Sequence, residues 1–448
     1  MNLIQQSFLQ KKVLILRLFT MVLFPFCLQA QTAGDSLLTQ ATLQNVVAYA
    51  VKHQPLLEQS LLDEEITKNT IRSKLADWFP QVNFNYSLQH NFQVQTSIIG
   101  GNPVRLGVEN TSAAQFTASQ YLFNRDALLA FQSKNDVLTQ AKQTTESRKI
   151  DVAVSVSKAF YDVITTTQQI KVAAENINRL EKSLNNAFQQ YKAGLVDKTD
   201  YKRATIALNN TKALKQGSEA LLKAKTEYLK YLMGYPVAAE LNVVYDSLQM
   251  EKEIGLDTLQ VASYNNRVEY RLLETQRKLQ EANVKYNKWA FLPNASLNGA
   301  YNLNYLNNDF PKLYSNNLPN SFAALTLSFP IFQGGKRKYN ISNAQLQLRR
   351  TMWDIDALKN TVNSQYAAAL ASYKSSLANY LSLKENMALA QEVYDVINMQ
   401  YRSGVKTYIE VITAETDLRT AQLNYYNAMY QLLASKIDVQ KALGQVVY

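Results

Sequence analysis

Gln81-Val82-Asn83-Phe84-Asn85-Tyr86-Ser87-Leu88-Gln89-His90-Asn91-Phe92-Gln93-Val94-Gln95 alternates polar and apolar residues almost without a break, His90 alone standing where an apolar residue is due. Successive side chains of a strand point to opposite faces, so the stretch reads as a strand with one aromatic face and one amide-rich face. It holds no Asp, Glu, Lys or Arg, and neither do three further alternating segments, Ala114 to Phe123, Asn294 to Tyr305 and Ala323 to Ile331. Soluble sheets normally place charge on the wet face. An uncharged polar face opposite an aromatic one is the pattern of a membrane β-barrel strand of ~10 residues, set between lipid and a hydrated lumen. The connecting segments Thr96 to Asn110 and Asn307 to Asn320 carry Gly, Pro and charge, and read as exposed outer loops.

The four segments form two pairs because the chain is written twice. Tyr191-Lys192-Ala193-Gly194 and Gly234 stand 210 residues before Tyr401-Arg402-Ser403-Gly404 and Gly444. Trp78-Phe79-Pro80 likewise matches Phe291-Leu292-Pro293, and Tyr121-Leu122-Phe123-Asn124 matches Pro330-Ile331-Phe332-Gln333. The expected organisation is a signal peptide over 1–30, a first repeat over 31–240 with its strand pair at about 81–123, and an equatorial linker over 241–258. A second repeat over 259–448 has its strand pair at about 294–333. Each repeat runs helix, two strands, very long helix, Gly turn, long helix.

The 13 Gly and 9 Pro among 448 residues fall in a few clusters, and none lies between Val108 and Ala193 or between Lys336 and Ser403. After the strands, both stretches leave ~68 residues of helix, or ~100 Å. Apolar residues recur every seven positions, as at Val156, Val163, Ile170, Ile177, Leu184 and Tyr191, and at Val411, Leu418, Tyr425, Leu432 and Val439. In the second long helix the stripe is Tyr366, Tyr373, Tyr380, Met387, Tyr394 and Tyr401, read as seam packing rather than as a binding stripe. A period of 3.5 means helices packed side by side and supercoiled.

Lys11, Lys12 and Arg17 followed by an apolar run from Leu18 to Leu28 give residues 1–30 the layout of an export signal, and Cys27 lacks the setting of a lipidation site. Its removal lowers the net charge from +11 to +8 and leaves no cysteine, which suits an oxidising compartment. Two His and one Cys exclude zinc fingers and disulfide scaffolds, so no metal and no cofactor is expected. Lys and Arg are scattered along helices, so nucleic acid is not an expected partner. Four strands cannot enclose a barrel, and open edges in lipid leave unpaired backbone groups costing several kcal/mol each. The chain must therefore oligomerise.

This layout resembles the TolC-type outer membrane efflux proteins. The resemblance runs over nearly the whole mature chain. Its marks are Leu38-Thr39 leading to Gln54-Pro55-Leu56, the Pro80 and Pro293 entries to the strand pairs, Phe329-Pro330-Ile331-Phe332-Gln333-Gly334-Gly335, and the twin segments after Gly194 and Gly404. The resemblance implies a homotrimer whose 12-stranded transmembrane β-barrel, four strands per chain, sits in outer-membrane lipid and continues as a long periplasmic α-helical barrel. It also implies a periplasmic adaptor (membrane fusion) protein and an inner-membrane transporter as partners.

By the same resemblance the hairpin tips form a periplasmic gate. Thr199 and Asp200 match one side of it, and Tyr401, Lys406 and Glu410 the other, with Thr413 standing where a second acidic residue is usual. Gly194, Leu195, Gly404 and Val405 mark the tips at which an adaptor would dock. Independently of family, Asp200 and Glu410 each lie six residues past a turn glycine, where a helix start favours an anion by ~0.3–1 kcal/mol. Three copies of Glu410 around one axis would attract cations and respond to pH and divalent ions.

The expected function is a passive exit duct of a tripartite efflux or type I secretion system, opened at its tips by partner proteins. The alternative is an exported structural coiled-coil stalk or adhesin with a soluble β cap. An enzyme would need a nucleophile or an acid/base cluster, and neither His53 nor His90 stands in one. The cargo is not written in the sequence.

Overall fold

The computed structural model describes residues 37–194, 196–244, 247–261 and 263–448, with the side chains of 247–249 left aside. The signal peptide expected over 1–30 and the tip residue Leu195 lie outside the described residues. Gln40–Tyr448 form one compact unit.

Helices α1 (Leu43–His53) and α2 (Pro55–Ala76) open the first repeat. They are two helices rather than one because Pro55 cannot donate to the preceding turn, and it begins α2 instead. Strand β1 (Gln81–His90) follows, then a small hairpin of β2 (Thr96–Ile99) and β3 (Asn102–Arg105), then β4 (Asn110–Phe123). The first outer loop thus contains a ribbon, turned through Gly100 and Gly101, where the sequence suggested only a connection. Helix α3 (Arg125–Lys192) is 68 residues long and is capped by Asn124, whose side chain accepts from the Asp126 and Ala127 amides. Helix α4 (Lys198–Met233) returns alongside it.

The linker holds a short helix, α5 (Ser247–Glu253). The second repeat begins with α6 (Val268–Lys288) and continues through β5 (Asn294–Asn307) and β6 (Asn320–Ser328). It ends with the 67-residue α7 (Lys336–Arg402) and with α8 (Tyr408–Leu443). Strand β6 starts and stops three residues earlier than its alternation suggests, since Pro330 removes a ladder donor near its end. Strand β1 likewise ends at His90 rather than Gln95.

The sheet order is β1-β4-β5-β6, antiparallel throughout, so the two repeats are joined through β4 and β5. In the helical part α3 packs on α4 and α8, and α7 packs on α8. Buried rows in α8 follow a seven-residue spacing, Val411-Leu418-Tyr425-Leu432-Val439 and, three positions on, Ala414, Ala428, Ser435 and Ala442, with the half-buried Ala421 completing the second row. Toward its lower end α3 carries the matching row Ala173, Leu180 and Ala187. Gly234 and Gly444 close the returning helices at φ 67° and 70°. A Cβ there would lie 2.5 Å from the His53 carbonyl oxygen or 2.6 Å from that of Asn266, so each repeat has a glycine where a helix end meets backbone.

Candidate functional site

Register decides what each sheet face presents. Phe84 lies opposite Phe116, and Phe116 opposite Tyr301. The same face therefore holds Val82, Tyr86, Leu88, Ala114, Ala118, Leu297, Leu303, Leu325 and Leu327. The other face collects Asn83, Asn85, Gln115, Thr117, Asn298, Asn302 and Thr326, with Tyr121 and Phe322 its aromatic exceptions. Asn298 donates to Ser296 and Thr326, and Asn302 to Asn320, so the polar face is laced by neutral hydrogen bonds. At the loop end the Tyr86 and Tyr314 hydroxyls meet at 2.7 Å, and the Tyr314 and Tyr305 rings meet edge to face. At the helix end Phe79, Phe291 and Phe329 are exposed, and Arg337 sits over the Phe291 ring. Aromatic residues at both ends of an uncharged apolar band are what a barrel wall in a bilayer requires. Strands β1 and β6 have no neighbour on their outer sides in this sheet.

The other site is at the opposite end of the long helices. Gly194 and Gly404 turn the chain at φ 72° and 76°, a left-handed conformation open to glycine at little cost. Past Gly404, Lys406 Nζ lies 2.6 Å from one Glu410 oxygen, and the other accepts from both the amide and the hydroxyl of Thr407 at 2.9 Å. Lys406 first, and Thr407 next, hold Glu410 down to about 2. Past Gly194, Asp197 caps α4 by accepting from the Thr199 amide at 2.7 Å. Asp200 is half-buried, and among the described residues no hydrogen bond or ion pair reaches its carboxylate.

Within one chain Tyr401 and Lys406 do not bond to Asp200 on the other side of the expected gate. Tyr401 donates to Gln190 of α3 at 2.8 Å, and Lys406 pairs with its own neighbour Glu410. Asp200 nonetheless lies close enough to Tyr401 and Tyr408 to oppose their ionisation. Val405 is exposed at the turn.

Several residues that hold the tips together carry no mark in the sequence. Tyr408 is 2% exposed, packs with Ala187 and Ala204, and accepts from the Ser183 hydroxyl at 3.0 Å. Burial pushes its phenol up to about 12. Two turns further on, Glu415 is 3% exposed and receives Arg179 Nε at 3.4 Å. Burial raises this carboxyl to about 6 against the opposing pull of Arg179. Glu415 and Arg419 line a cavity of about 370 Å³ with Asn176, Arg203 and Thr211, between α3, α4 and α8.

A sheet built for a bilayer, carried on helical hairpins with a gathered tip, defines an outer-membrane channel subunit. The outer membrane efflux protein family matches residues 46–234 and 264–445, one segment in each repeat, and the chain belongs to that family. It is 20% identical over 439 residues to the outer membrane protein TolC of Escherichia coli (strain K12), covering 94% of this chain and 86% of that one. It is 22% identical to the probable efflux pump outer membrane protein TtgC of Pseudomonas putida, covering 90% of this chain and 82% of TtgC. The fold matches the crystal structure of CusC at a TM-score of 0.72 with 17% identity, over 90% of this chain and 91% of that chain. It matches the open state of the Neisseria gonorrhoeae MtrE outer membrane channel equally well, at 0.72 and 18% identity, over 90% and 88% of the two chains. The protein is an outer membrane efflux channel.

Proposed function

We propose that three copies of the chain, exported by the leader at 1–30, close one 12-stranded barrel and one helical tube, and that the assembly is a passive exit duct. One observation carries this reading: the sheet is free of charge on both faces and, among the described residues, unpaired at both edges. In lipid such edges are tolerated only when another strand covers them. Joining β6 of one copy to β1 of the next satisfies both and makes the polar face a lumen.

The tips are the gate of this duct. A periplasmic adaptor and an inner-membrane transporter supply the opening force and the choice of cargo, while the channel itself performs no covalent chemistry. Asp200, unmatched among the described residues of its own chain, takes its partner from the neighbouring copy, where Lys406 and Tyr401 are the donors of the right kind. The test is single-channel conductance of the reconstituted protein. Lys406→Ser and Tyr401→Phe are each expected to raise the conductance severalfold without partners. Unchanged conductance in both removes the gate from these residues, and a monomer that stays dissolved in plain buffer removes the duct.

A further inference from the structure

The heptad tyrosines of α7 do more than pack. Tyr366 donates to the Gln260 carbonyl, Tyr373 to the Ile254 carbonyl at 2.9 Å, and Tyr380 to the Glu251 carboxylate at 3.3 Å. Three hydroxyls seven residues apart thus grip successive points of one segment, the end of the linker between the repeats and its continuation to Gln260. The same segment reaches two other long helices. Glu251 also accepts from Lys384 of α7 at 3.0 and 3.1 Å and from Tyr425 of α8 at 3.0 Å. Glu253 accepts at its carboxylate from Tyr161 of α3 at 2.9 Å and at its carbonyl from Lys436 of α8. Met250 and Ile254 are buried beside these bonds.

Phenol hydroxyls suit this task. A neutral donor can be buried against a carbonyl without the desolvation cost of an ammonium group, and once buried it needs that partner. The rings alone would pack without the linker, but the hydroxyls would not be satisfied. Below Lys384 the situation changes. There, among the described residues, the polar contacts of α7 with other elements are Arg179 over the Tyr394 ring and Gln190 with Tyr401, both from α3.

We infer that residues 251–260 are a brace that sets the level at which the helices pivot, pinning α7 to α3 and α8 above Lys384 and leaving the last turns before Gly404 to swing. This rests on the reading that the tips open. It adds that the height and extent of opening are fixed by the linker rather than by the tips.

The test uses full-length protein in lipid nanodiscs, with the triple variant Tyr366→Phe, Tyr373→Phe, Tyr380→Phe and, separately, Glu251→Gln. Amide exchange over 251–260 reports whether the hydroxyls hold the linker. Spin labels at Lys198→Cys and Ser403→Cys report the separation of the two tips. Loss of each hydroxyl is expected to speed exchange about fivefold, and the triple variant should broaden the tip distances although every tip residue is intact. Faster exchange with unchanged tip distances overturns the inference, leaving the linker as packing alone. Unchanged exchange overturns it too, because the hydroxyls then hold nothing. The gate reading is judged separately by the conductance of Lys406→Ser, so the two failures are distinguishable.

Discussion

The turn at Gly194 and the turn at Gly404 share a backbone and differ in what they do with their carboxylates. Each glycine is left-handed, and each is followed by a 36-residue helix that ends at a second left-handed glycine. Past Gly404, Glu410 is occupied by Lys406 and Thr407 of its own turn. Past Gly194, Asp197 takes over capping, and Asp200 is left without a side-chain partner among the described residues of its chain. Duplication thus preserved the turn while the charges diverged. One half satisfies itself, and the other presents an unmatched acceptor to its surroundings.

The comparison is sharpest at the first position of each returning helix. Tyr408 in α8 is buried between the hairpins, and its counterpart 210 residues earlier, Lys198 in α4, is exposed. Tyr408→Ala should therefore cost ~3–5 kcal/mol, and Lys198→Ala should stay within ~0.5 kcal/mol. Denaturant unfolding in detergent, followed by helical circular dichroism, measures both. Equal effects would mean that the two hairpins are anchored alike, contrary to the packing.

The contrast also shows what the sequence could disclose. Strand alternation, missing charge, glycine spacing and the long stretches without Gly or Pro are local signals, and they gave the four strands, both long helices and both turns. The Lys406–Glu410 pair was within reach as well, being four residues apart across a helix start. Gln190, Ser183 and Arg179 were not, because each acts across the seam on a residue more than 200 positions away. Nor did the tyrosine stripe reveal its partner, since the linker presents backbone carbonyls and these have no sequence signature. Glu415 looks like any helical surface acid until α3 covers it.

Glu410 and Glu415 extend the comparison within one helix, and acid should act on them in opposite directions. Glu410 is held from 4.5 down to about 2, so its stabilisation is complete above pH 4.5 and is lost as the pH falls toward 2. Glu415 is raised from 4.5 to about 6, so the fold favours its protonated form and gains stability as the pH falls from 6 to 4.5. That gain amounts to ~2 kcal/mol for a carboxyl this deeply buried. Arg179 and Arg419 oppose it, and both face Glu415. The melting temperature of the tip region should therefore rise on mild acidification and fall below about pH 4.5. Glu415→Gln should flatten the rise and Glu410→Gln the fall. Profiles that keep both limbs in both variants would assign the pH response to other groups.

The smallest expected effect on folding is the one that separates the two turns most directly. Thr407→Ala removes a hydroxyl bound to Glu410 at the start of α8 and should cost ~1 kcal/mol. Asp200→Asn removes a charge that no group among the described residues of the chain receives, so chain stability should move by no more than ~0.5 kcal/mol. If Asp200 finds its donors on the neighbouring copy, the order reverses when conductance is read instead of unfolding. Asp200→Asn should then open the duct, and Thr407→Ala should leave it nearly unchanged, because the helix start it loosens stays pinned by Tyr408. A destabilised Asp200→Asn chain with normal conductance would show that Asp200 serves its own hairpin, and the two turns would differ in sequence without differing in role.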